Sequence, residues 1–304
     1  MKSILARLLC AVSLLGSVSV HAALNVFATV PEWGALAQEI GGDKLKVFVA
    51  TNALQDPHHV EAKPSLITRA RNADLVIASG AELEVGWLPL VLRESGNSRV
   101  MPGQPGYFEA AQQVRMLEVP QRLDRADGDV HAGGNPHIQT GARNFLPVGS
   151  ALAQRLAELD PANAAAYQAG YKAFAEKWQA ALARWEKQAA PLRGVPVAVQ
   201  HKAFVYLSDW LGLREIATLE PKPGVDPSAA YLSKLAAQFA AKDGNAPRMV
   251  LRSIYNSPRA ADWISEKSGV PVVILPFTVG GSERAKDLFG LFDDSIERLL
   301  KALK

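Results

Sequence analysis

The chain has 304 residues, of which 48% are hydrophobic, 21% charged and 7% aromatic, the composition of an ordinary globular protein with room for roughly two domains. Lys and Arg number 33 against 30 Asp and Glu, a near balance that predicts no nucleic-acid partner. Cys10 is the only cysteine, which excludes an internal disulfide and leaves His, Asp, Glu or backbone oxygen as donors for any metal site.

Residues 1–22 read as a cleavable signal peptide. Lys2 and Arg7 give a positive start, Leu8 to Leu15 an apolar run, and Val20-His21-Ala22 a small-residue end. The apolar run is too short to cross a bilayer, which takes about 20 residues, and no later segment is long enough either, so no stable membrane insertion is expected. Leu8-Leu9-Cys10 lacks the small residue that precedes a lipidated cysteine. Cleavage after Ala22 leaves a cysteine-free exported protein, periplasmic in a bacterium.

Along the rest of the chain, short aliphatic runs alternate with amphipathic stretches. This is the pattern of an α/β protein with parallel sheets covered by helices. In the first half, strands are predicted at Leu24–Thr29, Leu45–Ala50 and Asp74–Ser79, with helices from Pro31 to Ile40 and from Pro64 to about Asn72. A Gly/Pro-rich region from Met101 to Tyr107 and a polar loop from Asp124 to Gly134 precede a helix from about Arg143 to Leu159. From Pro161 to Ala189 the only Gly or inner Pro is Gly170, and Tyr167, Tyr171, Phe174, Trp178 and Trp185 recur at helical spacing. A helix of that length, about 44 Å, exceeds what one small lobe needs and is read as a backbone joining two lobes. After Pro191 the alternation resumes. Strands are predicted at Val195–Val199, Leu213–Thr218, Arg248–Arg252 and Val272–Leu275. Helices are predicted at Lys202–Leu211, Pro227–Ala241, Pro258–Ser268 and about Glu283 to Leu303. The expected organisation is an N-terminal α/β lobe at 23–160, a linking helix at 161–190 and a C-terminal α/β lobe at 191–304. Ligands of such lobes bind beyond the carboxyl ends of the strands, so the crevice between the lobes is the expected site.

Five histidines remain after His21 is removed, and all lie after predicted strands or in polar loops. Asp56-Pro57-His58 and Asn135-Pro136-His137 share a pattern, where chance would supply about 0.4 Pro-His pairs in the whole chain. Proline stiffens the loop, and the preceding Asp or Asn can hydrogen-bond nearby backbone, so each imidazole starts out partly immobilised. His201 follows the strand Val195–Val199 directly. Nitrogen donors from His58, His137 and His201 form a set suited to Zn(II), with a fourth position for a carboxylate or water, whereas Mn(II) prefers more oxygen. Ligating imidazoles must be neutral, so affinity is expected to fall below about pH 6.5. His131, in the acidic loop, is a candidate auxiliary ligand. His59 is left unassigned, because neighbours in an extended loop point in opposite directions.

These features resemble the zinc and manganese solute-binding proteins of bacterial ABC importers, the cluster A-I group. The resemblance runs from Leu24 to Lys304. Asp56-Pro57-His58 with Pro64-Ser65 is similar to the family's first ligand segment, Asn135-Pro136-His137 to its second, and His201-Lys202-Ala203-Phe204 to its third. It implies two α/β lobes joined by one long helix with the metal between them. It also implies delivery of the metal to an ABC permease and its ATPase, with a metallochaperone as a further candidate partner, and a monomeric binding protein that is not an enzyme. Manganese-favouring members tend to carry Glu where this chain has His201, so the resemblance points to zinc as the bound substrate.

The chain departs from the pattern at Asn135, Gln139 and Lys202. Pro276-Phe277-Thr278-Val279-Gly280-Gly281-Ser282 also has no carboxylate where the family places its fourth ligand, an Asp. A water, Glu61, Asp226 or His131 are the candidates for that position, and a water or a borrowed carboxylate is expected. Two other functions compete. A zinc hydrolase could use the same three histidines, but no H-E-x-x-H, G-x-S-x-G or phosphate-loop motif is present. A binder of small organic solutes could draw on Trp33, Trp87, Trp210, Arg252 and Tyr255, residue types that more often fill lobe cores.

Overall fold

The computed structural model describes residues 22–122, 128, 131–241 and 246–304. The expected signal sequence up to His21, with its Cys10, and Asp124 to Asp127 of the polar loop lie outside the described residues. Strands β1 (Leu24–Ala28), β2 (Leu45–Val49), β3 (Leu75–Ala78) and β4 (Tyr107–Glu109) form one parallel sheet in the order β2-β1-β3-β4. Strands β5 (Pro196–Val199), β6 (Arg214–Thr218), β7 (Met249–Ser253) and β8 (Val272–Leu275) form a second with the equivalent order β6-β5-β7-β8. Each sheet therefore has a switch point, β1/β3 and β5/β7, beside which loops diverge and leave a crevice.

The helices are α1 (Pro31–Gly41), α2 (Pro64–Arg71), α3 (Leu88–Ser95), α4 (Phe145–Leu159), α5 (Ala164–Gln188), α6 (Val205–Leu211), α7 (Ala229–Ala240), α8 (Arg259–Ser268) and α9 (Leu288–Ala302). Proline at N1 opens α1 and α2, where its missing N–H removes no helical bond. The sequence reading missed α3 and β4. The first is two turns long and carries Pro89 near its start; the second is a three-residue edge strand that begins where the Gly/Pro-rich region ends. The last helix starts at Leu288 rather than near Glu283, because the Asp287 side chain accepts from the Gly290 N–H at 2.7 Å and caps it there.

Helix α5 has 25 residues, shorter than the predicted stretch because Pro161–Asn163 and Ala190–Leu192 form 3-10 turns at its ends. It packs on α1 and α4 of the first lobe and on α9 of the second. Trp178 donates to the Ala142 carbonyl at 2.8 Å, and Trp185 donates to Asp293 of α9 at 2.6 Å. The inner faces of both sheets and α5 consequently share one hydrophobic core, which runs from Val26, Leu75 and Ile77 through Phe145, Trp178 and Trp185 to Val197, Leu251 and Phe292. The outer face of each sheet keeps its own smaller core, one around Phe27, Val76 and Trp87, the other around Ala198, Phe239 and Val250.

Gly170 permits the α1–α5 contact. A Cβ there would stand 2.1 Å from the Ile40 carbonyl oxygen. Helix propensity alone favours Ala over Gly by about 1 kcal/mol, but the obstacle is backbone, which cannot rotate away. Gly170→Ala is expected to destabilise the protein by about 2 kcal/mol, as for overpacked cores, measurable as a lowered midpoint of thermal or urea unfolding.

Candidate metal centre

Three loops, two from the first half of the chain and one from the second, bring His58, His137 and His201 together. One nitrogen from each lies within 4.8 Å of the others, and the three residues are 8%, 1% and 8% exposed. The Asx-Pro-His pattern works as expected from the sequence. Asp56 Oδ1 accepts from the His58 backbone N–H at 2.9 Å, and Asn135 Oδ1 accepts from that of His137 at 3.1 Å. Each turn fixes the backbone on which its imidazole stands.

The rings are fixed by a second set of contacts. His58 Nδ1 lies 2.9 Å from Asp56 Oδ1, and His201 Nδ1 lies 2.8 Å from Glu220 Oε2. An ionised carboxylate can only accept, so both rings carry a proton on Nδ1, which leaves Nε2 as the nitrogen able to offer a lone pair. His58 Nε2 is buried without a partner among the described residues. His201 Nε2 faces His137 Nε2 at 3.2 Å, close to the roughly 3.3 Å edge of a tetrahedron with metal–nitrogen bonds of about 2.05 Å. Burial, reinforced by His58, His201 and His131, holds the His137 imidazole well below the usual range and hence neutral. Burial works against ionisation of Asp56, yet its bonds to His58 hold the carboxyl below its usual value. The arrangement offers oriented nitrogen donors to a cation.

Glu220 went unrecognised in the sequence, although it stands just past the segment predicted to end at Thr218, the same strand-end position that marked the histidines. Two of the departures from the family pattern meet in one network. Lys202 forms an ion pair with Glu118, and Asn135 Nδ2 donates to the Lys202 carbonyl at 2.8 Å and to Glu118 at 3.3 Å. Tyr206 closes the network by donating to the Asn135 carbonyl and accepting from the Leu117 N–H. Gln139 is 1% exposed, and nothing in the structure explains its buried amide. Glu118, Asn135 and Lys202 border a cleft of about 450 Å3 whose walls also include His131, His137, His201 and Lys222.

Of the fourth-position candidates, Glu61 is exposed and lies 3.8 Å from Lys63, and Asp226 lines a separate groove with Gln200 and Trp263. The structure brings neither to the imidazoles. His131 does stand beside them, its ring stacked on His58 at 5.4 Å between centroids. The aromatic set of the organic-solute reading is largely interior. Trp33, Trp87 and Trp210 are 0%, 1% and 6% exposed and donate to Ser79, Pro57 and Glu186. Phe277, with φ of 65°, forms a wall, its ring 5.8 Å from His137 and 5.0 Å from Tyr255.

At the carboxylate-free segment 276–282, a buried acid approaches from the other lobe. Glu32, at the start of α1, is fully buried; Val279 N–H donates to its Oε1 at 3.3 Å, and the Thr278 hydroxyl lies beside it. Burial raises its carboxyl to about 7 from 4.5. The native state then holds a proton that the unfolded chain releases near 4.5, so stability falls as pH rises from 4.5 and levels off above 7. That difference corresponds to about 3 kcal/mol. Glu32→Gln is expected to remove this component, so the gap in unfolding free energy between the variant and the parent should widen by that amount between pH 4.5 and 7.5.

Comparison with known proteins places the chain. Residues 26–302 match the family described as the zinc-uptake complex component A, periplasmic. The high-affinity zinc uptake system protein ZnuA of Bacillus subtilis is 23% identical over 285 residues, 92% of this chain and 86% of its own length. The manganese ABC transporter substrate-binding lipoprotein scaA of Streptococcus gordonii is 27% identical over 157 residues, 51% of this chain. That match spans about half of scaA, 47% of its length. A crystal structure of ZnuA superposes with a TM-score of 0.76 at 22% identity, covering 93% of this chain and all of its own; at that identity the likeness shows the fold, two parallel-sheet α/β lobes. The chain belongs to this family, the ZnuA family of periplasmic zinc-uptake complex component A.

Proposed function

We propose that this protein captures Zn(II) outside the cytoplasmic membrane, in the periplasm, and delivers it to an ABC permease driven by its ATPase. His58, His137 and His201 are the proposed ligands, and the metal is cargo rather than a resident cofactor. The observation that carries this reading is the pair of carboxylate-held imidazoles, Asp56–His58 and Glu220–His201, which turn lone pairs toward the buried edge of His137. Uptake systems for zinc and for manganese both occur among the relatives. An all-nitrogen trio favours zinc over manganese, which is better matched by oxygen donors.

The carrier reading is preferred over hydrolysis. Glu220 and Asp56 are engaged in orienting imidazoles, and hydrolysis would require a further base aimed at a metal-bound water. Among the described residues no helix is long and apolar enough to cross a membrane, and the proposed working form is a monomer.

Equilibrium dialysis with elemental analysis is expected to give one zinc per chain, with no turnover of ester or peptide substrates. His201→Ala should weaken zinc binding on the order of a hundredfold or more, and Glu220→Gln roughly ten- to a hundredfold, the range for loss of a group that orients a ligand. Unchanged stoichiometry and affinity in His201→Ala would reject the assignment.

A further inference from the structure

Away from the three histidines, a groove of about 490 Å3 opens in the second lobe, lined by Gln200, Asp226, Leu232, Arg259, Ala260 and Trp263 among others. It lies past the carboxyl end of β5, between the starts of α7 and α8 and beside the β5/β7 switch point, the place where open α/β sheets bind ligands. Successive residues of an extended chain face opposite ways. His201 turns to the metal centre, and Gln200 turns to this groove. Ala198 and Val250 pair in register and belong to the outer core, so Gln200 and Arg252, each two positions further on, share that outer face.

The buried polar groups at this point are incompletely matched. Gln200 is the one buried residue of the lining. Its Nε2 donates to the Ser257 carbonyl at 2.9 Å, but its Oε1 has no partner among the described residues. Arg252 is 7% exposed, and its Nη1 donates to the carbonyls of Ser253 and Asn256 at 3.3 and 2.6 Å. Its Nε is buried without a partner among the described residues, and none of their carboxylates pairs with it. Asn256 Oδ1 is a further buried acceptor without a partner among them. A buried guanidinium is costly unless an anion answers it.

The walls carry charge of both signs and an apolar surface. Arg259 stands in the first turn of α8, whose N-terminus no side chain caps, and such a terminus attracts an anion. Asp226 supplies a carboxylate, and Trp263, Leu232 and Ala260 supply the apolar part. We propose that this groove is a second ligand site, for a small zwitterion of the α-amino-acid class with an apolar side chain. Arg259 and the start of α8 take its carboxylate, with the Arg252 charge behind them. Asp226 and the Gln200 amide oxygen take its ammonium, and its side chain lies on Trp263 and Leu232. This goes beyond metal capture and does not depend on it.

Calorimetric titration of L-leucine and of L-phenylalanine into the metal-free full chain tests this, with zinc removed so that its chelation by the amino acid adds no signal. One of the two should bind saturably, one per chain, and raise the midpoint of thermal unfolding. The amide of that amino acid lacks the carboxylate and its N-acetyl form lacks the ammonium, so each should bind about tenfold more weakly or worse. Arg259→Gln, a change at an exposed position, should weaken binding by a similar factor and leave zinc stoichiometry unchanged. No saturable heat with either amino acid would overturn the proposal, as would binding that Arg259→Gln leaves intact. Equal binding of either blocked form would overturn the assignment to a zwitterion. Zinc capture is read separately by dialysis, so its failure and that of this site are distinguishable.

Discussion

A carboxylate on the Nδ1 edge of an imidazole fixes which nitrogen carries the proton and where the lone pair points. Asp56 does this for His58 and Glu220 for His201. Without them the rings could rotate and change tautomer, and a cation would have to order them at a cost in affinity. His137 is held neutral by burial among its neighbours. The three imidazoles are thus held in place by the fold itself, in solvent-poor surroundings where His58 Nε2 has no partner among the described residues.

That preparation relies on a stiff frame. The inner cores of the two lobes merge around α5, so relative motion of the lobes must disturb packed tryptophans and phenylalanines as well as the cleft. Close packing resists such continuous deformation. The loops on the rim are tied across the cleft too, by the Lys202–Glu118 ion pair, by Asn135 on the Lys202 carbonyl, and by Val279 N–H on Glu32. Small movements of loops and side chains at the rim are consistent with this construction, and wide opening between lobes is not.

The wall of the site carries local strain of its own. Phe277 occupies the left-handed region yet packs edge-on against His137, Phe204 and Tyr255. An apolar ring held there limits water around the imidazoles, which would strengthen their electrostatic interaction with a cation. On the same turn Thr278 faces Glu32, a buried acid from the opposite lobe. This turn, which carries no carboxylate of its own, therefore makes a contact between lobes.

Much was legible in the sequence because it is local. Periodicity marked seven of the eight strands, and the Pro-His pairs and the His after β5 marked the histidines that the fold brings together. A two-turn helix and a three-residue strand carry too little pattern to register, which is why α3 and β4 were missed. Glu220 and Glu32 were missed for a different reason. Their roles depend on partners 19 and 247 residues away, and no spacing rule links a carboxylate to an imidazole or a backbone N–H across a fold. The sequence by itself determined the lobes, the long helix and the stiff loops, since hydrophobic period and proline act over a few neighbouring residues. Only the tertiary structure decided which nitrogens face inward, which acids hold them and which stay apart, because side-chain direction and burial arise when distant segments pack.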